Sequence, residues 1–131
     1  MIDVENMLFT EVKAAQPKKV KCGSQYTREQ SEFPYMTLEV KDNTIYERFI
    51  NSKQIENAAD IMVEVNAYSN SLKGKKEEAK QIIKTADSVL GGKGLVRVFC
   101  QPTPNLEDAT VFRMTARYRA IVDENLNFYR R

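Results

Sequence analysis

The chain has 131 residues, of which 42% are hydrophobic and 29% charged, and its net charge is +2. These values are typical of one globular domain and are too balanced for a strongly basic nucleic-acid-binding protein. The sequence contains no histidine and only two cysteines, Cys22 and Cys100, which excludes histidine-based triads and a four-thiolate zinc site within one chain. No apolar run approaches the roughly 18 residues of a membrane helix, so we expect no membrane partner.

Residues 1–16 are predicted to form an amphipathic helix that ends before Pro17. The apolar residues of its buried face are Val4, Met7, Leu8, Val12 and Ala15. The segment lacks the positive start and short apolar core of a secretory signal, so we expect an intracellular protein with both thiols reduced. Residues 17–33 follow as a polar connector, which could hold one short strand around Val20.

Alternating polarity predicts the first long strand, which starts at Pro34. The residues predicted to face the core are Met36, Leu38 and Val40. Asp42-Asn43 is expected to open a long connection that reaches about Ala59. A loop of that length in a small domain is often functional, but we favour a second strand over Thr44–Arg48 that forms a hairpin with the first.

Residues 60–68 alternate again and predict a strand whose apolar row is Ile61, Val63, Val65 and Ala67. Ser69–Ser71 is expected to form a turn and to supply the cap of the second helix. The face of that helix is traced by Ala79, Ile82, Ile83, Ala86, Val89 and Leu90, and Gly91-Gly92 is expected to end it. Lys73, Lys75 and Lys76 precede or enter its first turn, where the helix dipole disfavours cations. They are either simply solvated or part of a surface that meets an acidic partner.

Two further strands are predicted, over 95–100 and Thr110–Asp123. On the second, apolar residues face the helices, and Arg113, Thr115, Arg117 and Arg119 face the other way. The order of elements predicts an α+β fold, with a mainly antiparallel sheet and two helices packed on one face. We treat 1–131 as one domain, in which the sheet and second helix occupy 34–123 and residues 124–131 form a C-terminal tail.

The patterns that could carry catalysis or ligand binding are weak. Gly91–Gly94 superficially matches a phosphate-binding loop, but it closes a helix instead of opening one. Glu39 and Glu64 could share a sheet face with Arg97 and the arginines of the last strand, where cross-strand ion pairs are more common than acid–base catalysis. Cys100 is expected to be a buried structural thiol. We therefore predict no catalytic residue, no cofactor and no metal site.

The arginine row of the last strand has two interpretations. It could contact phosphates, but by parity Phe112 and Tyr118 point away from it, so the stacking aromatics of a single-strand-binding sheet are not expected there. A protein–protein interface suits the row better, because arginine is enriched at interfaces and binds acidic groups in defined geometry. We expect no specific nucleic-acid site.

Four short segments, in the same order along the chain, resemble parts of small proteins from tailed phages and prophages of Gram-positive bacteria. They are Phe33-Pro34-Tyr35 with its following strand, Val65–Asn70, Gly74-Lys75-Lys76 entering a helix, and Phe99–Thr110. Proteins of that kind are tail terminator or tail completion proteins, and the resemblance covers about residues 33–123. It implies a small α+β domain without catalytic residues.

The resemblance implies a structural virion protein and not an enzyme. Tail terminators form a ring, commonly a hexamer, that caps the tail tube and joins it to the head-side connector or sheath. The expected partners are other copies of this chain, the tail tube protein and the connector or sheath protein, in a virion or phage-tail-like particle assembled in the bacterial cytoplasm. The alternative function is a small adaptor that binds protein or nucleic acid without catalysis.

A ring also suggests which residues would contact a neighbouring subunit. Each subunit of a closed ring uses two different patches, so much of a small surface is interface. The arginine row and the 42–59 connection would then gain partners that they lack in a monomer, with the arginines meeting acidic groups of the next subunit. The candidates for subunit interfaces are Tyr46, Arg48, Phe49, Lys73, Lys75, Lys76, Arg113, Arg117 and Arg119.

Overall fold

The computed structural model describes residues 1–23, 33–45, 58–103 and 110–129 of the chain. Within those ranges it contains two α-helices and six β-strands, which confirms the predicted α+β class. The helices are α1 (Glu5–Ala15) and α2 (Lys75–Lys93). The strands are β1 (Lys21–Gly23), β2 (Tyr35–Ile45), β3 (Ala58–Ser69), β4 (Val96–Thr103), β5 (Phe112–Asp123) and β6 (Phe128–Tyr129). Neither described helix is long and apolar enough to cross a membrane.

The strands form one sheet in the spatial order β1-β2-β3-β5-β4. β1 runs parallel to β2, whereas the other neighbouring pairs are antiparallel. β6 pairs with β5 at Ile121 and Val122, just past the stretch of β5 that pairs with β4. Because β3 occupies the other side of β5 along its whole length, β4 and β6 follow one another along the same outer side.

Both helices pack on one face of the sheet, as predicted, and the hydrophobic core lies between them and that face. The apolar rows expected for the central strands are confirmed. They are Ile61, Val63, Val65 and Ala67 on β3, and Met114, Ala116, Tyr118, Ala120 and Val122 on β5. α1 contributes Leu8 and Val12, and each such fully buried aliphatic side chain stabilises the fold by about 1.5–3 kcal/mol. Ala15 is exposed, contrary to expectation, because α1 ends there and the chain turns to an extended conformation at Gln16.

β2 is longer than predicted and contains a bulge. The sequence predicts that Asp42-Asn43 opens a long connection, but β2 continues to Ile45. The register with β3 shifts at Lys41, which accommodates one extra residue and allows the pairing to resume. The predicted separate strand over Thr44–Arg48 is therefore wrong where the structure describes it, since its first two residues end β2. Residues 46–57 lie outside the described ranges.

Two short strands fall in segments that were predicted to be irregular. β1 lies within the connector at 17–33, next to Val20, where one short strand was considered. It adds to the edge of the sheet beside the beginning of β2. β6 lies within 124–131, so the predicted C-terminal tail contains a paired strand.

The turn between β5 and β6 is held by one carboxylate. Asp123 Oδ1 accepts hydrogen bonds from the backbone N–H groups of Asn125 and Asn127, each at 2.9 Å. Its other oxygen accepts a hydrogen bond from the Tyr129 hydroxyl at 2.9 Å. Asp123 therefore stabilises both the turn and the strand that follows it.

Both ends of α2 differ from the prediction. Gly74 is the N-cap residue and no side chain caps the helix. Ser69 was expected to contribute to that cap, but it belongs to β3 and its hydroxyl donates to Glu78 Oε1 at 2.6 Å. The helix then continues through Gly91-Gly92 to Lys93, so the predicted end is wrong.

The helix ends at Gly94, which has a left-handed backbone with φ +106. The N–H of Leu95 bonds to the carbonyl of Leu90 at 3.1 Å, and the N–H of Gly94 bonds to that of Gly91 at 3.1 Å. This paired arrangement needs a residue that tolerates positive φ, followed by an apolar residue that packs back on the helix. Leu95 is buried and meets that second requirement. Gly92 does not end the helix in this way, because the residue that follows it is the charged Lys93.

Gly94→Ala is expected to destabilise the protein. A Cβ at Gly94 would lie 3.2 Å from the carbonyl oxygen of Phe128, on a backbone with φ +106. We expect the free energy of unfolding, measured by urea denaturation, to fall by about 1–2 kcal/mol. The matched control is Gly92→Ala, because a Cβ there meets no atom within 4 Å. That change should raise stability by about 0.5–1 kcal/mol, and equal effects of the two substitutions would contradict this account.

Acid is expected to loosen β6 before the rest of the fold. Hydrogen bonds from the Asn127 backbone, and secondarily from the Tyr129 hydroxyl, lower the pKa of Asp123 below its ordinary value. Because the folded-state pKa is the lower one, this stabilisation is complete above the ordinary pKa and is lost as the pH falls through the folded value. NMR protection factors, which correct the exchange rate for its intrinsic pH dependence, should therefore fall in β6 over that acid range. Asp123→Asn should lower the protection factors above that range and remove the acid-dependent step, and an unchanged profile would oppose the assignment.

Candidate functional site

The face of the sheet opposite the two helices, here called the polar face, carries a row of buried polar side chains. Residues of this row are Thr37 on β2, Glu64 and Asn66 on β3, and Thr115 on β5, and all four are buried. The strand registers place Thr37 beside Asn66 and Asn66 beside Thr115. Side chains on neighbouring strands at such positions are close enough to interact.

A hydrogen-bond network crosses the polar face from β4 to β3. The Thr103 hydroxyl donates to Thr115 Oγ1 at 2.7 Å, and the Thr115 hydroxyl donates to Asn66 Oδ1 at 2.6 Å. Arg113 Nε donates to the same Asn66 oxygen at 3.0 Å. The Asn66 amide then donates to Glu64 Oε2 at 3.2 Å. Three strands are thus joined by side chains as well as by their backbones.

Glu64 is the buried carboxylate of this network, and cationic side chains lie beside it. Arg117 Nε donates to Glu64 Oε1 at 3.1 Å, and Lys41 Nζ lies 3.8 Å from Glu64 Oε2. Lys41 also lies 3.5 Å from a carboxylate oxygen of Glu39. The side chain of Glu64 is only 9% exposed, so its charge depends on these cations more than a surface carboxylate would. The predicted cross-strand ion pairs are confirmed for Glu64 and Arg117.

The three arginines predicted for one row do share the polar face, but each contacts a group of its own chain. Arg113 donates to Asn66, Arg117 to Glu64, and Arg119 Nη2 lies 3.7 Å from Asp60 Oδ1. The expectation that this row lacks partners in a monomer is therefore wrong. The β3–β5 register explains these contacts, because it places Glu64 directly opposite Arg117 and puts the acceptors of Arg113 and Arg119 at diagonal positions on β3.

Aromatic rings accompany two of these arginines, contrary to the prediction that none lies among them. The Arg113 guanidinium lies 5.6 Å from the centroid of the Tyr68 ring, and that of Arg117 lies 5.2 Å from the Phe99 ring. Tyr68 is fully buried, so its ring supports the arginine and offers no open platform for a base.

Arg97 lies on the helix face of the sheet and not beside Glu64. The register of β4 shifts between Arg97 and Phe99, and this bulge reverses which residues face the helices. Arg97 Nη1 lies 3.2 Å from Asp87 Oδ1 on α2, and the Tyr118 hydroxyl donates to the same oxygen at 3.0 Å. Burial, together with Asp87, raises the pKa of Tyr118. This cluster ties α2 to β4 and β5.

A groove of about 490 Å³ lies between α2 and β4. We call it the β4 groove, and it is lined by Lys76, Glu77, Lys80, Ile83, Lys84, Arg97, Cys100, Pro102 and Met114. Cys100 is exposed, so the expectation of a buried thiol is wrong. Its strand is the outermost on that side of the sheet, where α2 does not close over it. Sequence analysis missed Lys80 and Lys84, although their spacing with Lys76 places them on one side of a helix.

A second hollow, of about 940 Å³, lies where β3 leads into α2. We call it the Leu72 hollow, and it is lined by Asn70, Ser71, Leu72, Gly74, Lys75, Lys76 and Thr110. Two of the predicted interface lysines thus line it, and Lys75 Nζ donates to the carbonyl of Thr110 at 3.2 Å. Lys73 is exposed beside it, next to Leu72 in the sequence. Tyr46, Arg48 and Phe49, the other predicted interface residues, lie outside the described residues.

Cysteines and carboxylates are dispersed over the structure. Among the described residues, no group of three such side chains could hold a metal ion. Cys22 is a half-buried free thiol whose pKa is raised by burial. The features that stand out chemically are therefore the polar face, the β4 groove and the Leu72 hollow.

Arg117→Ala is expected to destabilise the monomer, because it leaves the buried Glu64 carboxylate without its guanidinium. We expect the free energy of unfolding to fall by about 1–3 kcal/mol in urea denaturation. The double variant Arg117→Ala/Glu64→Gln should recover part of that loss, since the uncompensated charge is gone. Unchanged stability in Arg117→Ala would contradict the internal pairing described above.

Comparison of the sequence with known proteins assigns it to no family. No protein-family model matches the chain, and no curated protein matches its sequence. The function has therefore to be inferred from the residues themselves and from where the structure brings them together.

Proposed function

We propose that this protein is a tail terminator or tail completion protein of a phage or phage-tail-like particle, and that it assembles into a ring, as a hexamer. In this role it caps the tail tube and joins it to the head-side connector or sheath, without catalysing a reaction. Its partners are other copies of the chain, the tail tube protein and the connector or sheath protein. The proposal is supported by the resemblance of four sequence segments and by the small α+β fold.

The observation that carries the proposal is the convergence of those four segments at one end of the sheet. Tyr35, from the first segment, pairs with Tyr68 from the second, and β5 connects Tyr68 to Thr103 of the fourth. Lys75, from the third segment, donates to the carbonyl of Thr110. The described parts of these segments thus lie together at one end of the sheet, and residues of three of them line the Leu72 hollow.

This surface has the character of a protein contact. Leu72 is fully exposed, the exposed Lys73 follows it in the sequence, and Lys75 lines the same hollow. An apolar anchor with a charged rim is typical of protein–protein interfaces. We therefore assign the Leu72 hollow to one of the two unlike patches that each subunit of a closed ring must present.

Ring formation is tested by the mass and shape of the purified protein. We expect light scattering after size exclusion to give a hexamer-scale mass at high concentration, or on addition of a tail tube protein. Negative-stain images should show rings. A chain that stays monomeric at high concentration and does not bind tail tubes would overturn the proposal.

Leu72→Glu is expected to weaken assembly by at least about tenfold in dissociation constant, because it places a charge at the centre of the contact. The substitution is at a fully exposed side chain, so the unfolding curve should not change. Leu126→Glu is the matched control, because Leu126 is also exposed but lies in the turn after Asp123, at the opposite end of the sheet. Equal losses of assembly in both variants would oppose the assignment of the Leu72 hollow.

A further inference from the structure

The β4 groove is a second surface, which adjoins the Leu72 hollow at Lys76. α2 forms one of its walls and β4 the other. Ile83 and Met114 line its floor and are only 4% and 5% exposed, so the floor is formed by side chains of the hydrophobic core. A volume of about 490 Å³ is enough for one or two side chains of a partner.

The β4 wall of the groove is also an open strand edge. β4 pairs with β5 on one side, and no strand of the described ranges pairs with its other side. Such an edge is a template for an additional extended segment. The bulge after Arg97 and the missing N–H of Pro102 interrupt the edge, so the stretch suited to pairing is the short one at Phe99–Gln101.

The charge of the groove is mainly positive. Lys76, Lys80 and Lys84 recur every fourth residue along α2, and Arg97 faces them from β4. Glu77 is the one carboxylate that lines it among the described residues. Arg97 is paired with Asp87, whereas in the described part of the chain none of the three lysines forms a salt bridge. An acidic ligand would therefore gain cations that are not already neutralised.

We propose that the β4 groove binds a short, acidic, extended segment of a partner protein. The backbone of that segment pairs with β4 at Phe99–Gln101, its carboxylates meet the lysines of α2, and one apolar side chain rests on Ile83 and Met114. Binding by strand addition derives affinity from main-chain hydrogen bonds and specificity from alternate side chains. The interaction does not depend on ring formation.

Two other occupants fit the groove less well. A nucleic acid would find no aromatic ring among the lining residues on which to stack a base, and Glu77 and the apolar floor would oppose its phosphates. A second copy that offered its opposite sheet edge would bring β1, where Lys21 follows Lys18 and Lys19. Like charges would then face each other across the contact.

The test uses a fluorescent peptide of eight residues, the length of β4, in which glutamate alternates with valine. Fluorescence anisotropy with the full chain should show saturable binding that weakens on raising the salt to about 0.5 M. The same peptide with lysine in place of glutamate should not bind. Absence of binding by the glutamate peptide at low salt, with the protein folded, would overturn the proposal.

The role of the groove lysines is tested with the double variant Lys80→Gln/Lys84→Gln, which should weaken binding of the glutamate peptide by about tenfold. Lys13→Gln/Lys18→Gln is the matched control, since it removes the same charge from exposed lysines outside the groove and should change affinity less than about twofold. Equal losses in the two variants would show that net charge alone drives binding, against a defined groove.

Strand addition and the choice of ligand have tests of their own. N-methylation at alternate residues blocks one edge of a strand, so two glutamate peptides are compared, one methylated at the odd residues and one at the even residues. One of the two should lose binding, and affinity retained by both would overturn the pairing with β4. Single-stranded DNA of mixed sequence should bind more weakly than the glutamate peptide. DNA that binds more tightly, and that loses affinity in Lys80→Gln/Lys84→Gln, would replace the acidic protein segment as the ligand.

Discussion

The pairing of β3 with β5 is the interaction on which the rest of this structure depends. It runs without a register shift from Ala58 beside Asp123 to Ser69 beside Phe112. One face of the pair presents the apolar rows against which α2 packs, and the other presents the residues of the polar network. Because side chains alternate with a period of two, a slip by one residue would place the charged row in the core. The contact between Glu64 and Arg117 exists only in the observed register, so the network stabilises the alignment that the core requires.

The elements that could be predicted are those in which local pattern and final burial coincide. The alternation in β3 and β5 and the helical spacing in α2 each identify the buried side, because strict periodicity leaves one consistent choice. The bulges at Lys41 and after Arg97 could not be predicted, since an extra residue in a strand has no signal in local polarity. The second bulge moved Arg97 to the opposite face from the one expected, and it places the exposed Cys100 on the wall of the β4 groove.

For the candidate surfaces, the sequence predicted which residues share a face but not which groups they contact. Parity placed Arg113, Arg117 and Arg119 on one face, but their partners depend on the register between strands, which the sequence of one strand does not contain. Which glycine ends α2 depends on whether the residue that follows it can be buried. Leu95, which follows Gly94, is buried by tertiary packing, and local sequence does not reveal that packing. The Leu72 hollow and the β4 groove each combine segments distant in the chain. They share one residue, Lys76, so the two surfaces are continuous around the first turn of α2.

Lys93 links the two ends of the described fold. Its ammonium nitrogen lies 2.7 Å from a carboxylate oxygen of Glu11 on α1 and 6.0 Å from the centre of the Phe128 ring on β6. One residue before the glycine that ends α2, a single side chain thus bridges the first helix and the last strand. An affinity tag or fusion partner that displaced β6 would remove one of the two supports of this lysine. The disturbance would then reach α1, although the two elements are separated by nearly the whole described chain.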